Sequence, residues 1–246
     1  MSEKIILSHS LHFYGVEEAR LEKDGEWINS QSGLSAELFP QKGECRLRVT
    51  ASEDTGEESE IRMNLVISHL KKKYGSQFYG IDCGSLQGEA VRRLREKGLH
   101  IATAESCTGG YIAKRITEID GSSTVFEYGI VSYSNRVKEQ LLGVSPETLE
   151  KYTAVSEQTA REMAAGVRRL SGAEIGVSVT GLAGNTPDPD GKPNGLVYVG
   201  VDCDNFREVA ELHLAGGDGK NEREHIRYLA ASHALYLALK ACGSLG

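Results

Sequence analysis

The spacing of apolar residues changes character several times along this 246-residue chain, and each change marks an element. Ile5, Ile6 and Leu7, followed by residues 11–14, are expected as a strand ending at Gly15. Residues 16–27 read as a short helix weakened by Gly25. Two strand-like runs, 34–39 and 45–50, are joined by the turn-rich Pro40-Gln41-Lys42-Gly43. In the second run Leu47 and Val49 alternate with Arg46, Arg48 and Thr50, the period of a half-exposed strand. From Glu57 the period turns helical, with Ile61, Leu65, Val66, Ile67 and Leu70 on a wide apolar stripe that closes at Tyr74-Gly75. Residues 79–85, which include two glycines, are the expected linker.

Beyond the linker, strand and helix patterns alternate. Helices are expected at 86–97, 110–119, 136–142, 146–152 and 157–170, the last opening after Ser156 at the N-cap position, with a long final helix at 222–241. Strands are expected at 99–104, 125–133, 174–180, 196–202 and 208–214. The small residues within Ile175-Gly176-Val177-Ser178-Val179 point to close packing against a neighbouring element. The expected architecture is therefore α/β: a mixed or mostly parallel sheet with helices on its faces over residues 86–246, preceded by a small α+β domain at 1–82. In the last helix Tyr228, Ala231, Tyr236 and Leu239 fall outside the main stripe, enough apolar surface for a subunit interface, and a homodimer is expected.

Composition adjusts this picture only modestly. Hydrophobic residues make up 39% and charged residues 26%, as in ordinary soluble domains. The net charge of −7 is spread over both parts, so nucleic acid is not an expected partner; the run Lys71-Lys72-Lys73 reads as a solvated helix end. Five scattered cysteines include no CxxC pair and no histidine at ligand spacing, which argues against a zinc site or a disulfide framework and for a reducing compartment. No apolar run reaches membrane-spanning length, no secretory signal is evident, and the expected location is the cytoplasm.

Three glycine-bearing turns follow strands, where ligands of open α/β sheets bind. The first is Ala104-Glu105-Ser106-Cys107-Thr108-Gly109-Gly110. Its glycines let backbone approach a ligand and Ser106 could act as a nucleophile, although Ser106 and Thr108 could equally cap the helix. The second, Gly121-Ser122-Ser123-Thr124, leads to a strand ending at Ser132-Tyr133 and then to Lys138. A lysine near a serine can serve as its base when burial lowers its pKa, yet spacing alone favours a solvated lysine. The third is Thr180-Gly181-Leu182-Ala183-Gly184, running into a Pro/Gly/Asp-rich loop over 185–195. There Asp188 and Asp190 lack the downstream ligands of a calcium loop, and no metal is expected. Arg223 and Arg227, four apart, could clamp a phosphate or merely solvate the last helix.

Taken in order, Thr103–Gly110, Gly121–Ser123, Tyr133–Lys138, Leu142–Val144, Ala154–Glu157 and Thr180–Gly184 resemble the C-terminal domain of the CinA family, over roughly residues 86–242. Residues 1–82 resemble the small middle domain of longer CinA proteins, with His12-Phe13-Tyr14-Gly15 and residues 45–51 as the nearest stretches. The family's usual large N-terminal domain has no counterpart in this sequence. Stand-alone members include nicotinamide-mononucleotide deamidases. The resemblance therefore implies an amidohydrolase converting that nucleotide to nicotinate mononucleotide and ammonia without a cofactor. It implies Ser106 as nucleophile, Lys138 as base and Tyr133 assisting, with Ser123 as the competing serine. Substrate would be held by Glu105, Thr108, Gly109, Gly110, Thr180, Gly181, Ala183, Gly184, Arg223 and Arg227. Two stretches depart from the family pattern, Asn185-Thr186-Pro187 and the four residues Gly219-Lys220-Asn221-Glu222 that separate Gly217-Asp218 from Arg223. A non-catalytic nucleotide-binding or protein-interaction module is the alternative.

Overall fold

The computed structural model describes residues 4–184, 191–214 and 221–245. Asp188, Asp190, Asn185-Thr186-Pro187 and Gly217-Asp218 lie outside the described residues. The chain divides into two compact units, Met1–Ser85 and Leu86–Gly246.

In the first unit β1 (Ile5–Tyr14), β2 (Leu34–Gln41), β3 (Glu44–Glu53) and β4 (Phe78–Ile81) form an antiparallel sheet in the order β2-β3-β1-β4. Helices α1 (Glu18–Asn29) and α2 (Gly56–Tyr74) cover it. Lys42-Gly43 makes the two-residue β2–β3 turn, with Gly43 at φ +75°, a conformation glycine adopts without steric cost. Leu11, Phe13, Leu47 and Val49 of the sheet close on Leu21, Ile28, Met63, Val66 and Leu70 of the helices, a core with no exposed member. The stretch expected as linker instead opens with β4. Phe78 and Tyr79 are buried and β4 pairs with β1, so tertiary pairing prevails over the local glycine signal. Likewise β1 runs unbroken through Ser8, His9 and Ser10, because β3 pairs with every residue of it.

The second unit holds one mixed five-stranded sheet, ordered β6-β5-β7-β8-β9. Strands β6 (Phe126–Val131), β5 (Ile101–Glu105) and β7 (Ile175–Gly181) are parallel, whereas β8 (Leu196–Asp202) and β9 (Arg207–His213) continue antiparallel. Helices α3 (Leu86–Lys97), α4 (Tyr111–Thr117), α5 (Asn135–Leu142), α6 (Pro146–Tyr152), α7 (Glu157–Ser171) and α8 (Glu222–Ser244) cover its faces. Among the described residues no helix is long and apolar enough to cross a membrane.

The small residues of β7 and β8 face α7. Ser178 Oγ donates to the Ala160 carbonyl at 2.6 Å, and a Cβ on Gly176 would sit 2.3 Å from the Ala164 carbonyl oxygen. With backbone as the obstacle, α7 itself would have to move. Gly176→Ala is therefore expected to lower the unfolding free energy by about 2–3 kcal/mol in urea titrations. Gly243→Ala, with nothing within 4 Å, should be neutral or slightly stabilising.

The other face of β7 and β8 packs against α8, which also meets α3 and α4. Of the four residues expected to form apolar surface on this helix, Tyr228 and Tyr236 are half-buried. Ala231 and Leu239 are buried within the chain, because a helix enclosed by a sheet and two helices is apolar on most sides.

Candidate active site

The site is built where the parallel strands end. Ala102 and Ala104 of β5 join the core with Met163 and Val167 of α7, so by strand alternation Thr103 and Glu105 face α4. The Glu105 carboxylate is buried and accepts three backbone N–H bonds, from Gly110 and Ile112 at 3.0 Å and Ala113 at 2.9 Å. It ties the start of α4 to the end of β5 and thereby fixes the turn between them. This differs from the substrate contact expected for Glu105, since its charge is turned into the fold toward α4. Glu105→Gln should weaken all three charge-assisted bonds and lower stability by about 2–3 kcal/mol. Unchanged urea denaturation would show that the turn does not depend on the carboxylate.

Within that turn the Ser106 amide donates to the Val179 carbonyl of β7 at 2.9 Å, and the Gly109 amide donates to the Ser106 carbonyl at 3.1 Å. Gly109 and Gly110 adopt φ of +60° and +93°, conformations that side-chain-bearing residues rarely take. From α8, Arg227 Nε and Nη2 grip the Thr108 carbonyl at 3.2 and 2.7 Å, and Nη1 meets Glu224. Arg227, expected to clamp a phosphate, is thus engaged in holding the serine turn. Arg223 behaves differently: it is exposed, and its Nη1 lies 3.1 Å from where a Cβ on Gly184 would sit. A cation thereby faces the end of the third turn. Earlier in that turn, Thr180 Oγ1 donates to the Ala154 carbonyl at 2.6 Å, a Cβ on Gly181 would meet the Leu196 carbonyl oxygen at 2.7 Å, and Ala183 is buried. Those three residues are occupied by internal packing.

Lys138 arrives from α5. Ser134, where the chain bends, caps that helix by accepting from the Val137 amide, and the Lys138 side chain is buried. Lys138 is 1% exposed. Its Nζ donates to the Ser132 carbonyl at 2.8 Å and lies 3.3 Å from Ser106 Oγ. Burial pushes the Lys138 pKa down to about 8, with the Cys107 thiol acting in the opposite sense. The Cys107 thiol is pushed up to about 12 by its own burial, which makes it a small filler and a poor nucleophile. A neutral Lys138 that donates one N–H to Ser132 aims its lone pair at the serine hydroxyl, the arrangement a general base requires. The Ser132 carbonyl is the functional group that sequence reasoning missed, for main-chain oxygens carry no sequence signal.

The other expected members lie apart. Tyr133 follows Ser132 directly, but its side chain is 65% exposed. Ser123 is exposed in the short turn Ser122–Thr124 that precedes β6. Because β6 runs parallel to β5, that turn sits at the opposite end of the sheet, about 20 Å from Ser106 by strand rise alone. One chain therefore brings together Ser106 and Lys138 and leaves Ser123 remote.

A mixed α/β sheet carrying a buried serine–lysine pair at the ends of its parallel strands defines the class of this domain. Residues 84–242 match the CinA C-terminal domain, and residues 8–80 match the damage-inducible protein CinA KH domain. The chain belongs to the CinA family. It is 40% identical over 238 residues to a CinA-like protein of Kosmotoga olearia, covering 96% of this chain and 57% of that protein. It is 38% identical over 241 residues to a putative competence-damage inducible protein of Bacillus subtilis, covering 97% and 56%. The chain thus spans little more than half the length of the curated relatives it matches. Among solved structures, the competence/damage inducible protein CihA of Agrobacterium tumefaciens is similar with a TM-score of 0.60 at 39% identity, covering 63% of this chain and 93% of that one.

Proposed function

We propose that this chain is an amidohydrolase that converts nicotinamide mononucleotide to nicotinate mononucleotide and ammonia. The observation that carries the reading is the desolvated Lys138 amine 3.3 Å from Ser106 Oγ, oriented by the Ser132 carbonyl. Neutral Lys138 takes the hydroxyl proton as Ser106 Oγ adds to the carboxamide carbon, giving a tetrahedral oxyanion. The Cys107 and Thr108 amides donate to no backbone carbonyl among the described residues, and these two N–H groups receive the oxyanion. Lys138 passes its proton to the departing nitrogen, the C–N bond breaks, and ammonia leaves. Water then adds to the acyl ester while Lys138 accepts its proton again. The bond to Ser106 Oγ breaks, the proton returns to Oγ, and the carboxylate product is released. These steps use no metal or redox group. Arg223, beside Gly184, supplies positive charge for the 5′-phosphate.

Release of ammonia by the purified chain, with nicotinamide mononucleotide and free nicotinamide compared, tests this reading. Turnover of the nucleotide and little or none of the free base is expected, since the free base has no phosphate for Arg223. Calorimetric binding of the mononucleotide with no ammonia formed would instead make this a non-catalytic binding module.

A further inference from the structure

The segment between α6 and α7 is held in a conformation that side chains disfavour. Thr153 has φ +68° and ψ 176°, a region populated essentially by glycine. Three side chains keep it there. Its carbonyl accepts from Thr159 Oγ1 at 2.8 Å and from Ser156 Oγ at 3.2 Å, and its hydroxyl accepts from Lys192 Nζ. The same ammonium donates to the Val155 carbonyl at 2.7 Å and to the Tyr152 carbonyl at 3.3 Å, so its N–H groups all close on one short segment. A glycine at position 153 would adopt this backbone without strain, yet it would offer Lys192 no hydroxyl.

This strained segment lies at the site end of the sheet. Ala164 faces Gly176 and Ala160 faces Ser178, so α7 runs antiparallel to β7 and the residues before α7 reach the end of that strand. There the Ala154 carbonyl, flanked by the gripped Thr153 and Val155, takes the Thr180 hydroxyl at 2.6 Å. Thr180 follows Val179, whose carbonyl takes the Ser106 amide at 2.9 Å. The third turn has a second support. The Leu182 carbonyl accepts from the Gly195 amide at 2.8 Å, and the Leu182 amide donates to the Leu196 carbonyl at 2.9 Å. Lys192, shortly before Gly195 in the chain, therefore ties the two supports of the Thr180–Gly184 turn to each other.

We infer that Lys192 is a positioning residue: its grip on Tyr152, Thr153 and Val155 fixes the Thr180–Gly184 turn that Arg223 faces, and so sets affinity for the anionic end of the nucleotide. It takes no part in the chemical step. The strain at Thr153 is retained because the residue that carries it supplies an acceptor to this latch. The role rests on the reading of the site as one for a pyridine mononucleotide, whereas the latch itself is measurable without substrate.

Lys192→Met should speed hydrogen exchange at the Leu182 and Gly195 amides by at least about tenfold, with no substrate present. With nicotinamide mononucleotide it should raise KM about tenfold and leave kcat within about twofold of wild type. Thr153→Gly should raise Tm by about 2–4 °C, because strain is released, and still raise KM at least about threefold, because an acceptor is lost. A contact that served stability alone would not move Tm and affinity in opposite senses. Exchange rates unchanged in Lys192→Met overturn the latch. A fall in kcat as large as the rise in KM overturns the positioning role, since Lys192 would then bear on the reacting atoms. Faster exchange in a protein whose wild type neither binds nor turns over the mononucleotide would sink the assigned substrate, and this role with it, while leaving the latch in place.

Discussion

Ser106→Ala is expected to lower kcat for ammonia release by at least about 10⁴-fold while the affinity for nicotinamide mononucleotide changes less than about threefold. The asymmetry follows from what the substitution removes. Ser106 is held by its backbone, through the Val179 carbonyl and the Gly109 amide, and its hydroxyl touches only Lys138 among the described side chains. Deleting one oxygen leaves the turn, the Glu105 anchor and the Arg227 grip in place, so the substrate still binds. It takes away the atom that, in the proposed reaction, bonds to the carboxamide carbon. With no acyl ester, hydroxylamine added to the reaction should trap a hydroxamate from wild type and none from Ser106→Ala. Turnover by the variant above about one hundredth of wild type would remove Ser106 from the nucleophile role. A loss of binding parallel to the loss of turnover would mean that Ser106 shapes the pocket and does not react.

The parts of this site differ in how readily the sequence shows them, for physical reasons. Residues 101–110 are legible because an apolar strand, a polar bend and two glycines occur in direct succession, and the consequences of each are local. Lys138 is not legible by itself. A lysine in the first turn of a helix is ordinarily solvated, and its inward course depends on the bend at Ser134 and on the packing of α5 against α7. Only the ordered resemblance to a family singles it out. Glu105 and Arg227 receive a substrate role from the resemblance alone. In the structure both engage backbone groups of the turn, because a bend with several free N–H and C=O groups needs partners before it can be rigid. Strand order lies further out of reach. Nothing local in residues 126–131 or 207–213 states that they are edges, and the glycine in β4 masks a strand whose existence depends on its pairing with β1. The apolar surplus of α8 was legible as a quantity but not as a destination, since enclosure within the chain and exposure at an interface leave the same pattern in sequence.

Lys138→Met should separate the stability of the site from its chemistry. The folded protein holds the ammonium in a buried position with a pKa of about 8, against 10.5 for the unconstrained group. Between these values the unfolded chain binds more protons than the native one, so wild-type stability rises as pH climbs from 8 to 10.5 and the penalty is present in full below 8. The gap corresponds to about 3.4 kcal/mol at most, and solvent relaxation around the amine together with the lost bond to the Ser132 carbonyl brings the net gain for methionine at pH 7 nearer 1–2 kcal/mol. Methionine matches the stem in volume and opens no cavity. Urea titrations of the two proteins should therefore differ most below pH 8 and converge toward pH 10.5. Activity moves the other way: losing the base should reduce kcat by about 10²–10⁴-fold. In wild type, kcat/KM should climb about tenfold per pH unit and level off near pH 8, where the amine becomes neutral enough to accept the serine proton. A plateau already reached at pH 6, or a methionine variant that retains full turnover, would mean that another group accepts that proton. A methionine variant that is inactive yet less stable at every pH would mean that Lys138 holds the turn together by its hydrogen bonds and is not destabilised by burial, which would undercut the lowered pKa on which its role as base depends.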